Sequence, residues 1–101
     1  MIYTFLADGF EEIEALAPVD ILKRGGHGVT IVGVTGKTVK CARGTAVICD
    51  ATLDECDFSD ATVILLPGGP GAASLAIPEI KDLVTQALET GGLVCAICAA
   101  P

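Results

Sequence analysis

The chain has 101 residues, enough for one small domain, and 51% of them are hydrophobic although only four are aromatic. Thirteen acids against six bases give a formal charge of -7. That balance disfavours nucleic-acid binding, which needs clustered Lys and Arg to neutralise phosphate, and the apolar content argues against a disordered segment. A domain of this size buries only about 60–68% of its unfolded surface, so the core is limited.

"MIYTFLA" is short, apolar and β-rich, and reads as a first strand. "DGFEEIEALAPVDILKRGG" reads as a helix: Ile13, Leu16, Ala17, Ile21 and Leu22 recur near helical spacing, and Gly25-Gly26 stop the pattern. Pro18 is expected to kink this helix or to begin its second part. "HGVTIVGV" is a second strand. "KTVKCARGTAVICD" alternates on both sides of Arg43-Gly44 and predicts a hairpin or paired extended strands. "ATLDECDFSD" is polar and turn-rich, with room for one helical turn. "ATVILLPGG" is a buried strand that ends in a glycine loop. "PEIKDLVTQALETGG" is the clearest helix, with Pro78 in its first turn and Gly91 at its end. "LVCAI" is the last strand.

The alternation predicts an α/β fold: a mostly parallel, doubly wound sheet with helices on both faces. In such sheets ligands bind beyond the carboxyl ends of the strands. Three features fall at that edge: "DGFEEIE" after the first strand, "LPGG" after the fourth run, and Cys98 after the last strand. No apolar stretch is long enough to span a membrane, and no signal peptide is evident. The five cysteines fit no small disulfide scaffold, so free thiols in a reducing cytoplasm are expected.

Cys98 reads in two ways. Free cysteine is often a small core hydrophobe. At a strand-to-helix turn, with small Ala99 and Ala100 after it, it would instead feel the positive end of the following helix and favour thiolate. Cys95 and Cys98 form C-x-x-C, but residues three apart on a strand face opposite ways, so Cys95 is expected in the core. There is no second C-x-x-C, and the only histidine, His27, sits between glycines in a turn, so no metal site is expected. Glu11 and Glu12 suit an ordinary first helical turn. Glu14 is placed to point towards the strand-end cleft, where its carboxyl could move protons beside a thiol. "LPGGPG" is either a turn needing positive φ or a loop whose amides form an oxyanion hole. It matches neither the phosphate-loop pattern nor the dinucleotide pattern.

Taken in order, "DGFEEIEALAPVDILKRGG", "LPGG" and "AICAAP" resemble the ThiJ/PfpI superfamily, in its parkinsonism-associated deglycase-like branch. The resemblance runs over all 101 residues. It implies a flavodoxin-like α/β sandwich, usually a homodimer, of nearly twice this length. It implies Cys98 as reactive cysteine, Glu14 as the glutamate that hydrogen-bonds the thiol, and Gly69, with Gly68 before it, as the oxyanion glycine. The amide of Ala99 would be its partner. Arg24 and Arg43 match arginines near the dimer interface and the site edge. The family's histidine lies beyond the nucleophile, so the chain is expected to be the N-terminal part of one domain, its remainder lost or in a second chain.

The resemblance implies a cofactor-independent, cysteine-dependent glyoxalase III or deglycase acting on small α-oxoaldehydes or their protein adducts. Two other readings stay open: an oxidative-stress sensor or chaperone using an oxidisable cysteine, and a PfpI-like peptidase or amidase. The last needs a base such as histidine, and His27 is badly placed for it. No phosphate or thiazole site supports the biosynthetic role attached to ThiJ relatives.

Overall fold

A computed structural model of the chain describes residues 1–97. The elements are β1 (Ile2–Leu6), α1 (Glu12–Arg24), β2 (Val29–Gly33), β3 (Thr38–Lys40), β4 (Ala46–Ile48), β5 (Ala51–Thr52), β6 (Val63–Leu66), α2 (Pro78–Glu89) and β7 (Leu93–Ala96). Short 3₁₀ turns occupy Leu53–Glu55 and Pro70–Leu75. Five strands form one parallel sheet in the order β5-β2-β1-β6-β7. The predicted hairpin forms as β3 and β4, which pair antiparallel only with each other.

β1 is buried along its whole length, as a central parallel strand must be. Side chains alternate across a strand, and the two faces of β1 feed different clusters. Tyr3 and Phe5 pack with Val32, Ile64, Ile80 and Ala87 beneath α2. Ile2 packs with Val19, and Leu6 with Ala15, beneath α1. The two helices therefore lie on opposite faces of the sheet.

α1 begins where the Glu11 carboxylate accepts the Ile13 N–H at 3.0 Å, an N-cap bond. The helix does not restart at Pro18, which lies inside one continuous span. Pro18 has no N–H, so the Glu14 carbonyl receives no bond from it. Packing of Ala15 and Val19 on either side holds the helix together across this gap.

Three expectations are corrected. Ala51–Thr52, read as part of a polar turn, adds an edge strand beside β2. Pro70-Gly71, read as the end of the "LPGGPG" loop, instead opens a 3₁₀ turn over Pro70–Leu75 that buries Gly71, Ala72 and Leu75. Cys95, read as core, is exposed. Val94 packs against the α2-side cluster, so Leu93 and Cys95 face the other way. On that side α1 covers β1 and β2, whereas Leu93 on β7 is 58% exposed.

The chain steps from β1 out to β2 and β5, then returns to β6 on the other side of β1. The switch point lies between β1 and β6, where the loops after these two strands meet backbone to backbone. The Glu11 N–H donates to the Gly68 carbonyl at 3.0 Å, and the Gly71 N–H donates to the Gly9 carbonyl at 2.9 Å. There is no room for a side chain between them. A Cβ on Gly71 would sit 2.2 Å from the Asp8 carbonyl oxygen, and one on Gly69 would sit 2.7 Å from the Glu11 nitrogen. Gly69 also has φ +96°, a conformation that disfavours any other residue.

Gly71→Ala should therefore destabilise the fold by about 1–3 kcal/mol through overpacking alone, since this glycine does not have a positive φ. Gly26→Ala is the control: its φ is +88° but nothing lies within 4 Å, so only the dihedral cost of about 1 kcal/mol applies. Thermal unfolding of both variants checks this. An unchanged midpoint in Gly71→Ala would contradict the close approach.

Candidate active site

The first turn of α1 faces the loop after β6. Glu14 lies one turn beyond the N-cap Glu11, half-buried, and its Oε1 accepts the Gly68 N–H at 3.0 Å. Glu11 and Glu14 thus hold both ends of one residue: the Glu11 N–H takes the Gly68 carbonyl and the Glu14 carboxylate takes the Gly68 N–H. This corrects the expectation that Gly68 lends its amide to an oxyanion hole, because that N–H is already donated. The Gly69 N–H has no acceptor among the described residues.

Glu14 lines a cleft of about 390 Å³ with Thr4, Pro18, Pro67, Cys95 and Ile97. Thr4 is the one buried polar side chain of the described core, and its hydroxyl donates to the Leu65 carbonyl at 3.3 Å. The Ile97 N–H donates to the Leu66 carbonyl at 3.3 Å, so the end of β7 runs level with the end of β6. Cys98 and Ala99 follow in sequence and lie outside the described residues.

The other cysteines are poor nucleophile candidates or lie aside. Burial, and then the Asp50 charge, push the Cys49 thiol above its ordinary pKa. Burial, followed by Glu55, Asp57 and Asp60, does the same to Cys56. Both shifts favour the unreactive thiol over thiolate. Cys41 is buried, and its Sγ accepts the Thr45 N–H at 3.2 Å.

The two arginines separate. The β3–β4 hairpin carries Arg43 to the site edge, where its Nη1 lies 3.2 Å from Glu11 Oε2. The Arg24 side chain instead pairs with Asp20 at 2.9 Å on the exposed surface. It stands at the far end of α1, roughly 18 Å from the first turn at 1.5 Å per residue, and does not reach the site. His27 is exposed at the opposite end of the molecule from this edge.

Asp8 was not anticipated. Its Oδ1 accepts the Lys40 N–H at 3.0 Å and its own N–H donates to Thr35 Oγ1 at 3.1 Å, which ties the hairpin to the loop bearing Gly9. The visible signal was an Asp-Gly pair closing a strand. Among the described residues there is no cluster of three metal-ligating side chains, and no helix is long and apolar enough to cross a membrane.

A profile of the DJ-1/PfpI family matches residues 1–101. The chain is 40% identical over 92 residues to the glutathione-independent glyoxalase DJR-1.2 of Caenorhabditis elegans, covering 90% of this chain and 50% of that protein. It is 39% identical over 100 residues to the Parkinson disease protein 7 homolog of Danio rerio, covering 95% and 53%. The crystal structure of Drosophila melanogaster DJ-1beta superposes with a TM-score of 0.93 at 36% identity, over 99% of this chain and 53% of that one. Oxidized DJ-1 of Toxoplasma gondii gives 0.94 at 30% identity, over 99% and 56%. The chain spans about half the length of the curated relatives it matches. The parallel sheet, its order and its flanking helices are those of the flavodoxin-like α/β fold of these neighbours. On this sequence and structural similarity, the chain belongs to the DJ-1/PfpI family.

Proposed function

We propose that this chain is the cysteine-bearing part of a cofactor-independent glyoxalase or deglycase acting on small α-oxoaldehydes or their protein adducts. The single observation that carries the reading is the half-buried Glu14 carboxyl, locked by Gly68 beside the strand that leads into Cys98. The likeness to a glutathione-independent glyoxalase supports the same chemistry.

In this reading the Cys98 thiolate adds to the aldehyde carbon of methylglyoxal, and the carbonyl π electrons move to oxygen. The N–H of Gly69, which has no acceptor among the described residues, stabilises the alkoxide together with that of Ala99. Glu14 supplies the proton that completes the hemithioacetal. The same carboxyl then relays protons while hydrogen moves from the aldehyde carbon to its neighbour. Water releases the thiol, and methylglyoxal plus water becomes lactate with no external oxidant or reductant. The unpaired thiols among the described cysteines suit a reducing cytoplasm.

The protein acts as a homodimer of the completed domain. Ile13, Ala17 and Ile21 form an exposed apolar stripe along α1, with Ile13 74% and Ile21 67% exposed. Acidic residues open this helix and Lys23 and Arg24 close it, so two copies packed antiparallel would set acid against base. Ile21→Glu should convert a sedimenting dimer of the intact protein into monomer. A dimer unchanged by that substitution would contradict α1 as the interface.

Cys98→Ser in the intact protein should abolish lactate formation from methylglyoxal, with a loss of at least ~100-fold in kcat and no change in thermal midpoint. Retained turnover would overturn the reading.

A further inference from the structure

A long opening runs down the face of the sheet opposite α1, and the site described above does not use it. We infer that this groove, between α2 and the segment 52–61, is a docking site for a short basic and apolar peptide segment of a partner protein. The inference does not depend on the glyoxalase reading.

The groove follows from the connection between β5 and β6. Parallel strands are ordinarily joined through a helix that packs on the sheet. Here the link is one 3₁₀ turn, Leu53–Glu55, and an irregular run, so the flank of α2 is left without a neighbouring helix. A cavity of about 550 Å³ opens between Leu53, Cys56 and Phe58 on one side and Leu83 on the other. A second, of about 170 Å³, continues towards Ala61 and Thr90. Phe58, Leu83 and Gln86 line both, which makes them one groove. Its α2 wall runs from Glu79 to Thr90, roughly 16 Å at 1.5 Å per residue. That is the span of about five extended residues at ~3.3 Å each, more than a single small amine fills.

The floor is apolar and well seated. The Phe58 ring packs edge-on against Tyr3 at 4.9 Å and tilted against Phe5 at 5.5 Å. Tyr3 and Phe5 are buried, whereas Phe58 and Leu83 are only half-buried and line the groove. A further apolar side chain would complete their burial, and the ring also attracts a cation.

The rim is acidic. Glu79 and Asp82 stand on the α2 wall and Asp54 stands opposite. All three are exposed, and none is paired with a cation among the described residues. Glu79 suits the first turn of α2, but Asp82 lies past it and gains little from the helix end. No Lys, Arg or His lines either cavity. An apolar floor between acidic walls complements a segment whose apolar side chains sit on the floor while long basic ones reach the rim.

The test titrates the capped peptide Leu-Lys-Leu-Arg-Leu-Lys into the intact protein, followed by amide chemical shifts. Saturable shifts should centre on residues 52–61 and 79–90. Asp82→Lys should weaken binding at least ~5-fold, while Asp20→Lys on α1, the same change of charge on the opposite face, should stay within about twofold. The peptide Gly-Lys-Gly-Arg-Gly-Lys, with the charge but no apolar side chain, should bind at least ~10-fold more weakly. Equal weakening by the two substitutions would reduce the effect to net charge and overturn the site. Equal binding of the glycine peptide would overturn the role of the floor. Absence of saturable shifts would mean that the groove is closed or covered in the intact protein, and would overturn the proposal. Octylammonium binding there as tightly as the peptide would make the occupant a small amphiphilic amine and overturn it too.

Discussion

The structure turns on one residue, Gly68, held at both its carbonyl and its N–H by the first turn of α1. This grip joins the loop after β1 to the loop after β6 across the switch point of the sheet. It needs a glycine at 69 and another at 71, because the two backbones approach more closely than a Cβ permits. It also needs acids at 11 and 14, three apart, so that one caps the helix while the other reaches the loop. Motifs 54 residues apart in sequence are therefore one device. The strand-end cleft inherits its shape from that device.

The same device fixes the acid at the site. Glu14 is held in place by the Gly68 N–H at 3.0 Å, and among the described residues no cationic side chain pairs with it. Arg43 meets Glu11 at the rim, where an exposed pair contributes little energy but helps to fix the N-cap. No cofactor is needed for addition of a thiolate to an aldehyde followed by proton relay. What the proposed chemistry would require is a thiol, an acid and a pair of oriented amides, and Glu14 and the Gly69 N–H at this sheet edge are the candidates for the acid and one of the amides.

Much of this was legible in the sequence. β1 and β6 are apolar on both faces and bounded by turns, and α2 has a clean apolar face, so the parallel sheet followed from pattern alone. Glu14 could be singled out because it sits one turn past a capping acid. The failures have physical causes. β5 is two residues long, too short to carry a period. Cys95 was assigned to the core because residues three apart on a strand face opposite ways and Cys98 was given the open side, but its strand is the edge of the described sheet and its face is bare. Gly68 was assigned to the oxyanion site because a sequence does not show which of two adjacent amides another side chain has taken. Arg24 and Arg43 were read together as dimer or site-edge residues, and only the direction of α1 relative to the sheet reveals that Arg43 alone lies at the site edge.

The central claim is that this edge serves a thiolate at Cys98. A thiolate would serve turnover and oxidation alike, whereas a neutral core thiol would serve neither. The direct measurement is the pH dependence of Cys98 alkylation in the intact protein, resolved from the other four cysteines by mass spectrometry. The account predicts a midpoint well below the ordinary thiol value of about 8.5. A midpoint at or above that value would make Cys98 a packing residue and contradict the account.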